Sequence, residues 1–217
     1  MIQRSIYDLS IVLVGEFNPV IISPAWLYSK GLISETESTE AVVEVIHNEI
    51  SKFELPWVSF EVTRQKFVVR TSKESFFAIT KDIVTSIFRL LRHTPLTMLG
   101  LNHNFHYECN EKQYLEIGKK LVPFDNWDDI LKNPRLANLE MIEMPRDDQY
   151  NGKYRMKIAP SDLIKPYGVT LQVNDHYASK SNPLGVEEII NTLENSWDSS
   201  QLRASKTSQD LWKRIEI

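Results

Sequence analysis

Residues 99–108 alternate between apolar and polar with a period of two, and residues 169–176 do so again. In the first run Leu99, Leu101, His103, Phe105 and Tyr107 interleave with Gly100, Asn102, Asn104, His106 and Glu108. In the second, Val169, Leu171 and Val173 interleave with Thr170, Gln172, Asn174 and His176. Only a strand sends successive side chains to opposite faces, so each run predicts a strand with one face in the core and an ordered polar row on the other. Asparagine has little apolar surface to pack and is depleted in strands, so its recurrence here calls for a reason.

Around these runs, strand and helix signals mix without strict β–α–β alternation. That predicts an α+β fold built on a largely antiparallel sheet. Residues 6–16 read as a strand, central because Ile11, Val12, Leu13 and Val14 are apolar on both faces. Ser23-Pro24 has the form of a helix start and Gly31 of its stop. Residues 34–40 read as an acidic loop. Residues 41–55 fit a helical stripe or a strand, and the β-branched run from Val42 to Ile46 favours the strand. Residues 58–62 and 67–69 alternate as a hairpin. Phe76, Ile79, Ile83, Ile87 and Leu90 recur at helical spacing, so residues 72–93 predict a long central helix lying across the sheet, with Ser72 as its cap. Short helices are expected at 111–121 and 127–131, strands at 139–144 and 153–158, and one or two helices over 186–215. No internal repeat is visible. The 217 residues fit a single domain: an α+β core over 1–180, a linker near 179–183, and a C-terminal helical appendage over 181–217.

Composition removes several function classes. The net charge of −4 argues against a dedicated nucleic-acid binder, although a nucleic-acid partner stays open. Cys109 is the lone cysteine, so no intramolecular disulfide is available and a reducing, cytoplasmic setting is expected. No apolar run approaches the length of about 18 residues that a membrane span requires, and the first residues lack the pattern of a secretory signal. The seven glycines are scattered, without the clusters that cradle phosphates in common nucleotide folds. No cofactor is implied.

The candidate site is the polar face that would form if the strands around 102, 155 and 174 share a sheet. It comprises Asn102, Asn104, His106, Glu108, Arg155, Lys157, Gln172, Asn174 and His176. Antiparallel sheets commonly leave one face in water. Asparagine and histidine, however, offer directional donors and acceptors that a merely solvated face does not need. The face is therefore expected to bind a polar ligand or a partner. His103, His106 and Cys109 have the spacing of a zinc string, but strand parity separates His106 from the other two, and no metal site is assigned. His103, between Leu101 and Phe105, reads as a hydrogen-bonded core histidine. The same parity separates Asp175 from His176. A hydrolase using His106 or His176 with Glu108 is the alternative. The rows Lys153, Arg155, Lys157 and Arg64, Lys66, Arg70 are charged edges that could also meet a polyanion.

Phe17-Asn18-Pro19 with Ser23-Pro24-Ala25-Trp26-Leu27, His93-Thr94-Pro95 leading to Gly100-Leu101-Asn102, and Val173-Asn174-Asp175-His176 resemble phrases of a sporadically distributed family of bacterial proteins of unknown function. The resemblance spans most of residues 11–177. It implies a bacterial origin and an α+β domain, and it brings no activity, cofactor or catalytic residue. It also implies a role in a multi-component assembly, such as a stress or phage-defence system. Together these readings predict a cytoplasmic, non-enzymatic binding or interaction module with a protein partner, or a homo-oligomer joined through its C-terminal stripes.

Overall fold

A computed structural model describes residues 2–127, 129–178 and 185–216. Nine strands form one sheet in which every neighbouring pair is antiparallel. They are β1 (Arg4–Gly15), β2 (Val42–Ile46), β3 (Ile50–Leu55), β4 (Val58–Thr63), β5 (Lys66–Thr71), β6 (Leu96–Tyr107), β7 (Leu139–Glu143), β8 (Asn151–Pro160) and β9 (Val169–Ala178). The helices are α1 (Pro24–Ser29), α2 (Glu35–Thr39), α3 (Phe77–Leu90), α4 (Glu111–Leu121) and α5 (Val186–Arg214).

The strand order is β2-β3-β4-β5-β1-β6-β9-β8-β7. It is close to a palindrome about the β1–β6 pair. The chain runs β1, two short helices, four strands and α3, then β6, α4, three strands and α5. The two halves thus follow one path about a pseudo-twofold between β1 and β6, although no repeat is visible in the residues. The two halves share a polarity pattern and a path, which is all that packing demands.

One face of the sheet carries Leu9, Ile11, Leu13, Phe53, Phe60, Phe67, Val69, Leu99, Leu101 and Phe105, all almost fully buried. Helix α3 lies on it through Phe77 against Tyr7 and Phe88 against Phe67, ring centroids 4.8 and 5.0 Å apart. Helix α5 covers the other half, where His103, Tyr107 and Tyr154 bond to Ser200, Ser208 and Thr207. The result is a two-layer domain, with burial on one side only for most of the strands.

Local chemistry explains most boundaries. Ser23 caps α1, accepting from the Trp26 amide at 3.2 Å, and Pro24 opens it. Gly31 ends it at φ +68°, a conformation that side chains resist. Residues 42–55 form a hairpin of two strands, as the β-branched run suggests. Residues 34–40 differ from the expected loop: Ser34 and Glu37 form a reciprocal capping box that starts α2, and Glu37 also accepts from the Trp57 indole at 2.7 Å. At 127–131 a 3-10 turn over Phe124–Trp127 replaces the expected helix.

The long central helix is not found over 72–93. Thr71 accepts from the Lys73 amide and donates to the Trp57 carbonyl, which keeps the chain tied to the sheet, so α3 starts only at Phe77, after a 3-10 turn. The longest helix is α5, a single element of 29 residues. It is no appendage in packing terms. Its residues Val186, Ile189, Leu193, Trp197, Ala204 and Trp212 are buried in the common core. The linker expected near 179–183 lies outside the described residues.

Candidate functional site

The registers place the polar rows side by side across four central strands. Ser10 on β1 faces Asn102 on β6, Asn102 faces Asn174 on β9, and Asn174 faces Arg155 on β8. The next row runs Asp8, Asn104, Gln172 and Lys157, and the row on the other side runs Val12, Gly100, His176 and Lys153. Asn102, Asn104, Gln172, Asn174 and His176 are half-buried and Arg155 is exposed. These six predicted residues and Lys157 therefore share one face, opposite α3 and α5. Register fixes this, since a slip of one residue would turn every amide into the core.

Hydrogen bonds tie the centre together. Asn174 donates to the Asn102 side-chain oxygen, and Asn102 donates to Ser10 Oγ at 3.2 Å. Asp8 is the second hub: its Oδ1 accepts from Asn104 at 2.7 Å and from Arg70 Nε at 3.1 Å. Its carboxylate is 95% buried, which only such partners make tolerable. Beside it, a cleft of about 300 Å³ opens between Asp8, Arg70, Trp57 and Leu163.

Two predicted members stand apart. His106 does fall on the polar side, but it is buried beneath the loop that follows β8. Glu108 leaves the row altogether. Strand β6 ends at Tyr107, and Asn110 caps α4 by a reciprocal box with Gln113, so the chain has turned off the sheet by 108. The carboxylate near His106 is Asp8, 3.5 Å from Nε2.

Ser161 Oγ lies 2.8 Å from His106 Nδ1, completing a serine–histidine–aspartate chain. The oxygen already accepts from the amides of Leu163 and Ile164 at 3.2 and 3.0 Å. With both lone pairs taken, its hydroxyl hydrogen is left for Nδ1, and Nε2–H then faces Asp8. Ser161 is also only 4% exposed. It caps a turn and pins that loop to the sheet, and it lacks the free, accessible oxygen of a nucleophile.

Sequence reasoning missed Asp8, Ser10, Arg70 and Ser161. For the first two a signal existed: Tyr7, Leu9 and Ile11 already alternate with Asp8 and Ser10, a pattern masked by the apolar run that follows. Arg70 was seen only as part of a charged edge. Ser161 sits in a loop and carried no signal.

The other motifs separate as strand parity requires. His103 bonds Tyr7 and Ser200 on the helix face, away from His106. Cys109 is buried, and burial, then Glu108, pushes its thiol up to about 11, too high for a nucleophile at neutral pH. Among the described residues no group of three or more histidine, cysteine, aspartate or glutamate side chains is arranged to hold a metal ion. Asp175 also lies on the helix face, held by Arg146 and by Tyr177. His176 lies on the polar face, where burial, then Lys153, Arg146 and Arg155, lowers its pKa. No helix among the described residues is long and apolar enough to cross a membrane.

Gly100 keeps this centre open. A Cβ placed there would lie 3.2 Å from the Asn174 amide nitrogen, so Gly100→Ala is expected to push that amide aside and weaken its bond to Asn102. The net stability change is expected to stay within about 1 kcal/mol, because the weakened bond opposes the gain from replacing a strand glycine, and clear shifts of the Asn174 and Asn102 side-chain amide signals are expected in NMR spectra. Unmoved amide signals would show that the glycine has no such role.

No known family model matches the chain, and a search of curated proteins finds no match.

Proposed function

We propose that this chain is a non-enzymatic binding module that holds a partner on the polar face of its sheet, as a cytoplasmic component of a larger bacterial assembly. The observation that carries the binding reading is the convergence of Asn102, Asn104, Gln172 and Asn174 on one half-exposed face, beside Lys153, Arg155 and Lys157. Amide groups spend one face of four strands on donors and acceptors, which suits directional recognition better than solvation alone. Lys153 and Lys157 have no ion pair among the described residues, so the β8 side of the face favours acidic groups on the partner.

The hydrolase alternative finds less support. Glu108 lies off the face, and the histidine with a carboxylate neighbour, His106, is engaged by a turn-capping serine.

The test is a triple variant, Asn102→Ala, Gln172→Ala and Asn174→Ala, compared with the wild type in cross-linking and affinity purification from the native host. Loss of a stoichiometric partner, with the thermal transition within a few degrees of wild type, is the expected result. A folded triple variant that retains every wild-type partner would refute the reading.

A further inference from the structure

The sheet ends at β2 on one side and at β7 on the other. Each end strand has a row of backbone groups facing outward, a template for another strand unless something blocks it. The two ends differ. At β2 the register shifts between Val43 and Val45, a bulge of the kind that spoils edge pairing. At β7 all five residues pair with β8 in unbroken register.

Strand β7 has little unpaired charge to guard its edge. Its two carboxylates are engaged within the chain, Glu140 by Arg155 at 3.4 Å and Glu143 by Arg203 at 2.6 Å. Both carboxylates stay partly exposed, and beside them two large apolar side chains face outward: Met141 is 57% exposed on the helix side, and Ile142 is 54% exposed on the polar side. Neither lysine nor proline occurs within the strand.

The shared path of the two halves gives the vacancy a meaning. Strand β7 occupies the place in the second half that β3 occupies in the first, and β3 is covered by β2. The segment where a counterpart of β2 would arise, residues 122–138, contains Pro123 and Pro134 and a 3-10 turn over Phe124–Trp127, and its described residues form no such strand.

We infer that a second copy of the chain supplies it, the two β7 strands pairing antiparallel to make a homodimer with one continuous sheet. A twofold perpendicular to the sheet keeps both faces in place. With Met141 at the axis, it meets Met141 of the second copy, and Ile142 meets the aliphatic stem of Glu140, which pairs with Arg155 of its own chain. No like charges oppose each other. The strand is its own complement, which is what an isologous contact requires. The two polar faces then lie on the same side of the dimer. A contact of five-residue strands falls at the small end of specific interfaces, so it dissociates on dilution.

Sedimentation equilibrium of the full chain across a dilution series tests this. The expected wild-type mass approaches twice the chain's 25.2 kDa at the concentrated end and falls to the single mass on dilution. The variant Met141→Glu/Ile142→Glu stays at the single mass throughout, whereas Val42→Glu/Val43→Glu at the opposite edge behaves as wild type. Hydrogen exchange on the wild type gives a second readout: β7 amides gain protection as concentration rises. A wild type that stays monomeric throughout the series would overturn the inference, as would a dimer that survives the β7 variant or is lost with the β2 variant. None of these outcomes bears on the polar face.

Discussion

Replacing Arg146 by methionine should destabilise the protein by about 3–5 kcal/mol, the usual cost of removing one partner from a buried ion pair. Arg146 and Asp175 have side chains 1% and 2% exposed. The guanidinium also grips Asp148 and the His176 carbonyl, and it lies over the Tyr177 ring at 4.2 Å. Burial alone would lower its pKa; the bonds to Asp148 and Asp175 outweigh it and hold the pKa above the ordinary value. Without Arg146, the hydroxyl of Tyr177 at 2.9 Å is the one side-chain partner left to the Asp175 carboxylate among the described residues, leaving a nearly uncompensated charge beneath α5. Asp175→Asn should cost less, because Asp148 still neutralises the arginine. The double variant Arg146→Met/Asp175→Asn should recover much of the loss, since it buries no net charge. Urea unfolding of the three variants checks the order, and at this chain length 3–5 kcal/mol corresponds to roughly 10 °C in Tm. If Asp175→Asn proved the more damaging single change, the assignment of Asp148 as the arginine's second counter-ion would be wrong.

The strand faces were legible because period-two alternation is a local signal that the sheet must obey. Asn102, Asn104, Gln172 and Asn174 are neighbours on one face because β6 and β9 pair in the register their apolar rows require. The C-terminal helix was less legible. Ser199, Ser200 and Gln201 break the apolar periodicity of 186–215, which leaves one helix or two equally open in the sequence. In the structure Ser196, Ser200, Ala204 and Ser208 continue the buried stripe at four-residue spacing. Small residues let the helix approach the sheet, and the hydroxyls of Ser200 and Ser208 answer His103 and Tyr107. A hydropathy pattern registers such serines as breaks, because their partners lie on distant strands. The hub at Asp8 was hidden for the same reason. Its partners Arg70, on β5, and Asn104 and His106, on β6, come from strands that only the sheet order brings beside β1.

The same burial that makes His103 a core residue makes the protein sensitive to mild acid. His103 is fully enclosed, between the Tyr7 hydroxyl at 2.7 Å from Nδ1 and Ser200 Oγ at 3.1 Å from Nε2. Burial raises the Tyr7 pKa above its ordinary range, so that hydroxyl keeps its proton beside the ring. The neutral ring meets both hydroxyls with one N–H and one bare nitrogen, and enclosure away from water is what disfavours the charged form. Burial pushes the histidine's pKa down to about 4 against an ordinary value of 6.5, and the negative charge of Asp175 offsets this only in part. In the unfolded chain the ring takes its proton near pH 6.5; in the native protein it resists until near 4. Between those values the unfolded state binds more protons, so stability must fall as pH falls from about 6.5 to 4 and lose nothing further from this group below that. The full loss amounts to about 3 kcal/mol at 1.36 kcal/mol per unit. His176, also lowered, adds in the same direction. Glu37 and Asp148, whose pKa values are held below the usual carboxylate range by Ser34 and by Arg146, contribute stability that disappears only in stronger acid. Stability measured by urea unfolding from pH 7.5 to 4 should therefore decline in the wild type. In His103→Gln, which starts lower because its amide cannot match both hydrogen bonds, the curve should be flatter by this amount. Parallel curves for the two proteins would mean that His103 is not the group that holds the native state in its neutral form.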